Sequence, residues 1–325
     1  MGDVVTATKK TNCQGLVFLN DELYVSILKF STDNGGDAAS LIKASYAQVP
    51  DELEINLTLS EKIVSYIDEG TSFKLNAEPS IGSIGTINSD VSGYAMGGVS
   101  DGKYLYYGVN TSENKDATVI KVNPTTYEEV AKSASIVGLS VENKDNARLF
   151  IKDENLYCIG RSNKIFYCPL NQFADRCNFK EIDLDVESLT TIKDIAWDDN
   201  AGRYAVMSES ELIITDNNAN ELSRKSITKS GWTASSITAD EKYIFVSYTT
   251  NNNGNIPVDM YTWDGQLVSS LTINGFTLGV SSEKAVRFNV QALFIHKGVL
   301  HASVCSWDSG FNKYHDWTVK ISNDI

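Results

Sequence analysis

Proline, histidine and basic charge are all scarce in this chain of 325 residues. It has 5 Pro and 3 His, and its 28 Lys+Arg face 42 Asp+Glu, for a formal net charge of −14. The excess of acid excludes a nucleic-acid groove, which needs a basic footprint for phosphates. The densest basic stretch, Arg224 to Lys229, holds only three cations. An anionic membrane surface is disfavoured for the same reason. No run approaches the roughly 18 apolar residues that a spanning helix needs, so no membrane insertion is expected. The start, Met1-Gly2-Asp3-Val4-Val5, lacks a basic opening and an apolar core of about 7–15 residues. The expectation is a protein not exported by that route, or one freed of its leader. Met1-Gly2 followed by Thr6 meets the loose myristoylation pattern, which is short and carries little information.

The catalytic signatures are missing too. No P-loop or His-Glu-x-x-His occurs. His296, His301 and His315 are the whole histidine complement, so any triad or imidazole acid–base chemistry must use these three. Their spacing does not predict convergence on a metal, and His296 reads as a turn residue facing solvent. No metal site is assigned, and no cofactor is specified.

Five cysteines cannot all pair within one chain. Cys13 and Cys305 are isolated, whereas Cys158, Cys168 and Cys177 form a loose group without zinc-knuckle spacing. They read as buried small hydrophobes in strands, with a disulfide inside the group as the alternative. A Cys158–Cys168 bridge requires a hairpin centred on Asn163. A hairpin shifted to set Cys158 opposite Tyr167 leaves free thiols, and that register is the one expected here.

What the chain has in quantity is Ser, Thr and Asn, together roughly a quarter of it. Polar β proteins of cell surfaces, secreted fluids and particles share this composition. Two sequons, Asn56-Leu57-Thr58 and Asn110-Thr111-Ser112, add weak support for an extracellular or particle-surface location.

One element recurs, a polar turn followed by a short alternating strand. It reads Asn20-Asp21-Glu22-Leu23-Tyr24-Val25, Asp101-Gly102-Lys103-Tyr104-Leu105-Tyr106 and Asp153-Glu154-Asn155-Leu156-Tyr157-Cys158. Further copies are Asn200-Ala201-Gly202-Arg203-Tyr204-Ala205, Asp240-Glu241-Lys242-Tyr243-Ile244-Phe245 and His296-Lys297-Gly298-Val299-Leu300-His301. Taking Leu23, Tyr104, Leu156, Tyr204, Tyr243 and Val299 as equivalent, the first interval is 81 and the others run from 39 to 56. Each copy follows an apolar stretch and precedes further strands, as in Asp259 to Trp263, which turns at Asp264-Gly265 into Gln266-Leu267-Val268. Period-2 alternation between Asn, Asp and Gly turns is the strand and hairpin signal. No amphipathic helix is convincing, and Asp51 to Tyr66 reads as strand.

Four antiparallel strands per unit of about 40–50 residues resembles the blade of a β-propeller. Trp263-Asp264 is similar to the Trp-Asp turn of a WD40 blade, but no blade carries the Gly-His partner. The resemblance is therefore to the β-propeller superfamily in general. It implies an all-β single domain over 1–325 with four-stranded antiparallel blades. Six blades are expected, with an insertion at about 61–91; a degenerate blade there would make seven. Closure is expected from Asp3 to Thr8 pairing beside Trp317 to Ile321, which would hide an open edge. Strand neighbours from both faces, such as Tyr24 and Leu23, should be mostly buried between blades.

The remaining motifs are weaker. Ser31-Thr32-Asp33-Asn34-Gly35 and Ser306-Trp307-Asp308-Ser309-Gly310 resemble half a sialidase Asp-box, but Ala38 and Lys313 stand where its aromatic belongs. Asp183, Asp185, Asp194, Asp198 and Asp199 are close enough in sequence for a Ca²⁺ site, although blade turns require such residues anyway. Aromatics in long loops suit a protein or glycan ligand, and the ligand-binding candidates are Trp307, Phe311, Tyr314 and Trp232. The reading is a non-catalytic recognition or assembly module. The alternatives are a propeller enzyme with an axial small-molecule pocket, either a metal-dependent hydrolase or an oxidoreductase, and a structural subunit of a viral or surface assembly.

Overall fold

The computed structural model describes residues 10–20, 22–30, 38–44, 52–55, 58–59, 73–76, 83–86, 93–111, 116–126, 128–140, 148–160, 164–183, 189, 191–250, 255–274, 287–296, 298–307 and 314–321. Nearly all of them lie in strands. The first meander is β1 (Lys10–Leu19), β2 (Glu22–Phe30) and β3 (Ala38–Ala44). Three short strands follow, β4 (Glu52–Ile55), β5 (Thr58–Leu59) and β6 (Phe73–Asn76), before β7 (Ser83–Thr86) returns to lie on β3. The next sheet holds β8 (Gly93–Ser100), β9 (Leu105–Thr111), β10 (Asp116–Val122), β11 (Glu129–Lys132) and β12 (Ile136–Ser140). A third contains β13 (Arg148–Lys152), β14 (Asn155–Ile159), β15 (Lys164–Pro169) and β16 (Lys180–Asp183). The fourth contains β17 (Asp194–Asp198), β18 (Arg203–Met207), β19 (Glu211–Asp216) and β20 (Glu221–Ser226). The rest are β21 (Trp232–Ala239), β22 (Tyr243–Thr250), β23 (Asn255–Thr262), β24 (Leu267–Asn274), β25 (Arg287–His296), β26 (Val299–Trp307) and β27 (Tyr314–Ile321).

The chain divides into two compact units. One is Ala7–Ser45 with Ser80–Ile192; the other is Met1–Thr6, Tyr46–Pro79 and Lys193–Ile325. Both are built from antiparallel sheets of the propeller-blade type. The expected turn–strand copies are where the sequence places them: Leu23, Leu156, Tyr204, Tyr243 and Val299 lie in β2, β14, β18, β22 and β26, and Tyr104 immediately precedes β9. The turns rest on local chemistry. The Asp101 carboxylate accepts from the backbone N–H groups of Lys103 (2.8 Å) and Tyr104 (2.7 Å), and Asp240 does the same for Lys242 and Tyr243. Asn20, Asp153 and Gly102 adopt positive φ, at 50°, 48° and 86°.

The blade count and the closure differ from expectation. Among the described residues four sheets stand separately, and the remaining strands form one ten-stranded sheet rather than completing a set of six or seven blades. The fusion comes from a short seam in which Thr249 pairs with Asn289 and Thr250 with Phe288, joining β22 to β25. Beside β27 lies β6, with Asn76 opposite Thr318 and Leu75 opposite Val319, and β4 lies outside it. The segment read as an insertion thus supplies the strand that the N-terminus was expected to supply; residues 3–8 lie outside the described residues. At the far edge of the same ten-stranded sheet β5 covers β24, and in the other unit β7 covers β3.

Packing confirms that sheets are covered on both faces. Successive residues Leu212, Ile213, Ile214 and Thr215 in β19 are all buried, although neighbours along a strand face opposite sides. Tyr24, Tyr106, Leu156, Ala205 and Phe245 are buried, and Tyr104, Tyr157, Tyr204 and Tyr243 are half-buried. Among the described residues the exposed large apolar side chains, Val130, Val137, Ile182, Leu222 and Leu267, lie on the late strands β11, β12, β16, β20 and β24.

A second repeat is visible only in the pairing. Four leading strands each carry one extra residue against their partner: Gln14 in β1, Gly97 in β8, Ser235 in β21 and Gln291 in β25. Each extra residue is followed by a small one and then an aliphatic one, Gly15-Leu16, Gly98-Val99, Ser236-Ile237 and Ala292-Leu293. At Gly98 the reason is steric, because a Cβ would lie 2.5 Å from both Tyr107 Cε1 and Val17 Cγ2.

Candidate functional site

The register of the ten-stranded sheet brings the predicted aromatics to one end of it. Trp232 pairs with Thr250, Thr250 with Phe288, Phe288 with Ser306, and Ser306 with His315. The adjacent positions Arg287, Trp307 and Tyr314 are likewise opposite one another. At about 4.8 Å per strand, the row from Trp232 to His315 extends about 19 Å. Trp232, Trp307 and Tyr314 therefore belong to one sheet end. Phe311 lies outside the described residues. Trp232 is half-buried and packs against the core cluster containing Ala234, Tyr248 and Trp263.

The start of this row is anchored by a polar network that sequence reading missed. Lys229 and Trp232 form a bridge in a tight turn, with the Trp232 N–H donating to the Lys229 carbonyl at 3.0 Å. The Lys229 ammonium reaches Asp259 Oδ1 at 3.0 Å and lies 5.4 Å from the centroid of the Tyr248 ring. Asp259 is buried in β23. Its Oδ2 accepts from the hydroxyls of Tyr248 (2.9 Å) and Tyr261 (3.2 Å), and its Oδ1 also accepts from Ser270. Four donors satisfy the buried charge, which is the condition for burying a carboxylate. Burial, and then the Asp259 charge, push both phenols far above the usual tyrosine range, so they remain donors. The network ties the turn before β21 to three strands of the sheet. The only sequence signal was Asp259 at an interior strand position, between Val258 and Met260.

The described members of the acidic group of residues 183–199 have separate partners. Asp194, buried in β17, accepts from Ser236 Oγ (2.9 Å) and the Ile237 N–H (3.0 Å), linking β17 to β21. Asp198, also buried, closes its own turn onto Asn200 and Ala201 and pairs with Arg203 at 2.8 Å. Asp199 is exposed, Asp185 lies outside the described residues, and the Asp183 side chain is not described. Among the described residues no three His, Cys, Asp or Glu side chains are grouped to hold a metal ion. His301 is buried in β26, and His296, expected in a solvent-facing turn, ends β25 half-buried. His315 pairs with Ser306, whereas His301 pairs with Lys320, five residues along β27, so the two are about 17 Å apart along the strand.

Trp263 of the Trp-Asp dipeptide has a structural role. Its indole N–H donates to the Asp240 carbonyl at 2.9 Å, and the Arg203 guanidinium lies 4.6 Å from its ring centroid. Cys158, Cys168 and Cys177, the cysteines whose side chains are described, form no disulfide. Their hairpin follows neither expected register: Cys158 pairs with Phe166 and Cys168 with Leu156, because the ladder is centred on Ser162 rather than on Asn163 or between the two.

No protein family matches the chain, and no curated protein does. Among solved structures it is similar to BamB from Moraxella catarrhalis, at 11% identity over 96% of this chain and 84% of that one, with a TM-score of 0.45. Kuenenia stuttgartiensis hydrazine synthase is similar at 11% identity over 92% of this chain and 77% of that one, with a TM-score of 0.49. The WD40 domain of Toxoplasma gondii coronin is similar at 12% identity over 98% of this chain and 73% of that one, with a TM-score of 0.45. These identities are too low to transfer an activity.

Proposed function

We propose that this chain is a non-catalytic recognition or assembly module, a single β-propeller domain that engages a protein partner at the aromatic end of its ten-stranded sheet. One observation carries the reading: the register collects Trp232, Phe288, Trp307 and Tyr314 at one end. Trp and Tyr are the side chains that most often dominate protein interfaces. The Lys229–Asp259 network supports it by fixing the turn that starts the row, since pre-ordered loops lose less entropy on binding. The acidic composition fits an extracellular or particle-surface setting. A glycan would use the same aromatics, but no contact among the described residues favours it.

Site-specific photo-crosslinking tests this reading. A crosslinking amino acid at Trp307 or Tyr314 should capture a discrete partner, and the same probe at Leu222, exposed on β20, should not. Equal capture at Leu222, or none at the row, overturns the assignment. Crosslinks to a second copy of the chain would identify the assembly form of the same reading.

A further inference from the structure

We propose that Tyr157 and Tyr167 are a site of oxidative tyrosine coupling, at which a peroxidase-type oxidant joins the two phenols into an intramolecular dityrosine. The pair lies in the middle of a row that crosses one whole sheet. Phe150 of β13 is opposite Tyr157 of β14, Tyr157 is opposite Tyr167 of β15, and Tyr167 is opposite Lys180 of β16. Side chains directly opposite across antiparallel strands have Cβ atoms about 4.5–5.5 Å apart. The rings of this pair follow that spacing: the Tyr157 and Tyr167 centroids are 5.9 Å apart, with 30° between the planes.

Both rings are held from outside the pair. Phe150 is buried and stacks on Tyr157 at 4.7 Å, with 5° between the planes. The Lys180 ammonium lies 5.9 Å from the centroid of the Tyr167 ring. On the other face of β14 and β15, Leu156, Cys158, Phe166 and Cys168 are buried in one apolar cluster, so neither strand can turn its tyrosine away. Tyr157 and Tyr167 are half-buried and Lys180 is exposed, so the row opens to solvent at its β16 end. Tyr248 and Tyr261 also meet, at Asp259 Oδ2, but both are buried away from an oxidant.

The chemistry balances with hydrogen peroxide acting through a haem peroxidase. One peroxide removes an electron and a proton from each phenol and is reduced to two waters. Each phenoxyl radical shares its unpaired spin with the ring carbons ortho to the oxygen, and one such carbon of each ring forms the new C–C bond. The hydrogen on each bonded carbon then passes to its own ring oxygen, restoring both phenols. The protein has lost two hydrogens and gained one bond between β14 and β15. Coupling requires two radicals to meet within their lifetimes, and the cross-strand contact supplies that proximity.

The test treats the dilute, native full chain with a haem peroxidase and hydrogen peroxide, then follows dityrosine fluorescence and maps the tryptic peptides by mass. Trypsin cleaves after Lys152, Arg161, Lys164 and Arg176, so the bond links peptide 153–161 to peptide 165–176 with a mass two hydrogens below their sum. That linked pair should be the main dityrosine product. Tyr167→Phe, which keeps the ring and its stack, should abolish it, and Tyr204→Phe, another half-buried tyrosine, should leave it unchanged. No dityrosine in the native chain, a main product through another tyrosine, or linkage only between separate chains overturns the inference.

Discussion

Lys229 and Asp259 are joined at 3.0 Å across two elements, with the carboxylate buried and the ammonium partly exposed. The asymmetry predicts unequal costs. Asp259→Ala strands the hydroxyls of Tyr248, Tyr261 and Ser270 as well as the ammonium, and should destabilise by about 3 kcal/mol or more. Lys229→Met leaves three of four donors in place, and its charge can already reach water, so about 1 kcal/mol is expected. Urea unfolding midpoints measure both. Equal losses would mean that the ion pair, not the hydroxyl donors, dominates the network.

Tyr106, Tyr248 and Tyr261 should resist alkaline titration. Burial raises all three, followed by the hydrogen bond to Asp101 for Tyr106 and the Asp259 charge for the other two. Above pH about 10 the unfolded chain releases phenol protons that the folded chain keeps. The folded state then binds more protons, and stability falls as pH rises; the contribution is complete below that pH. Phenolate absorbance should show these three of the 15 tyrosines ionising only together with loss of the β circular dichroism signal. Gradual ionisation of every tyrosine in the folded protein would contradict the burial.

Gly98→Ala places a methyl group against Tyr107 and Val17, both buried. A loss of about 1–3 kcal/mol is expected from overpacking. Val17→Ala in the same chain should recover part of it, which a double-mutant cycle would register as coupling.

Arg203 couples two sheets of one unit: it pairs with Asp198, lies over Trp263, and donates to the Glu241 carbonyl at 3.2 Å. Lysine keeps the charge but loses the planar stack and the forked donors. Arg203→Lys should cost about 1–2 kcal/mol and alter the near-ultraviolet signal of Trp263, whereas a surface change such as Lys225→Arg should do neither.

Turns of this protein are legible in its sequence because their chemistry is local. Asp101 and Asp240 stabilise the next few residues by themselves, and so the strand copies at Leu23, Leu156 and Tyr243 can be found without knowing their partners. Sheet membership is not local. Nothing near Leu75 or Asn76 indicates that they pair with Val319 and Thr318, and two residue pairs at Thr249 and Thr250 are enough to merge meanders that read as separate. The cysteine hairpin fails for a related reason: moving the turn centre by half a residue or one residue changes every partner, and no composition records it. Trp232, Trp307 and Tyr314 read as loop aromatics, whereas they are the end residues of β21, β26 and β27, and their common position depends on registers of five strands.

The extra residues at Gln14, Gly97, Ser235 and Gln291 mark places where chain length and structure are decoupled. Elsewhere in a strand, removing one residue slides everything beyond it onto a new partner and the opposite face. At these four positions the residues on either side already pair with consecutive residues of the next strand. A deletion there closes the ladder and leaves every other residue with its own partner and face. In related sequences of different length, single-residue gaps should therefore gather at these four points, and an alignment that forces them into continuous strands would misassign the core on one side of each.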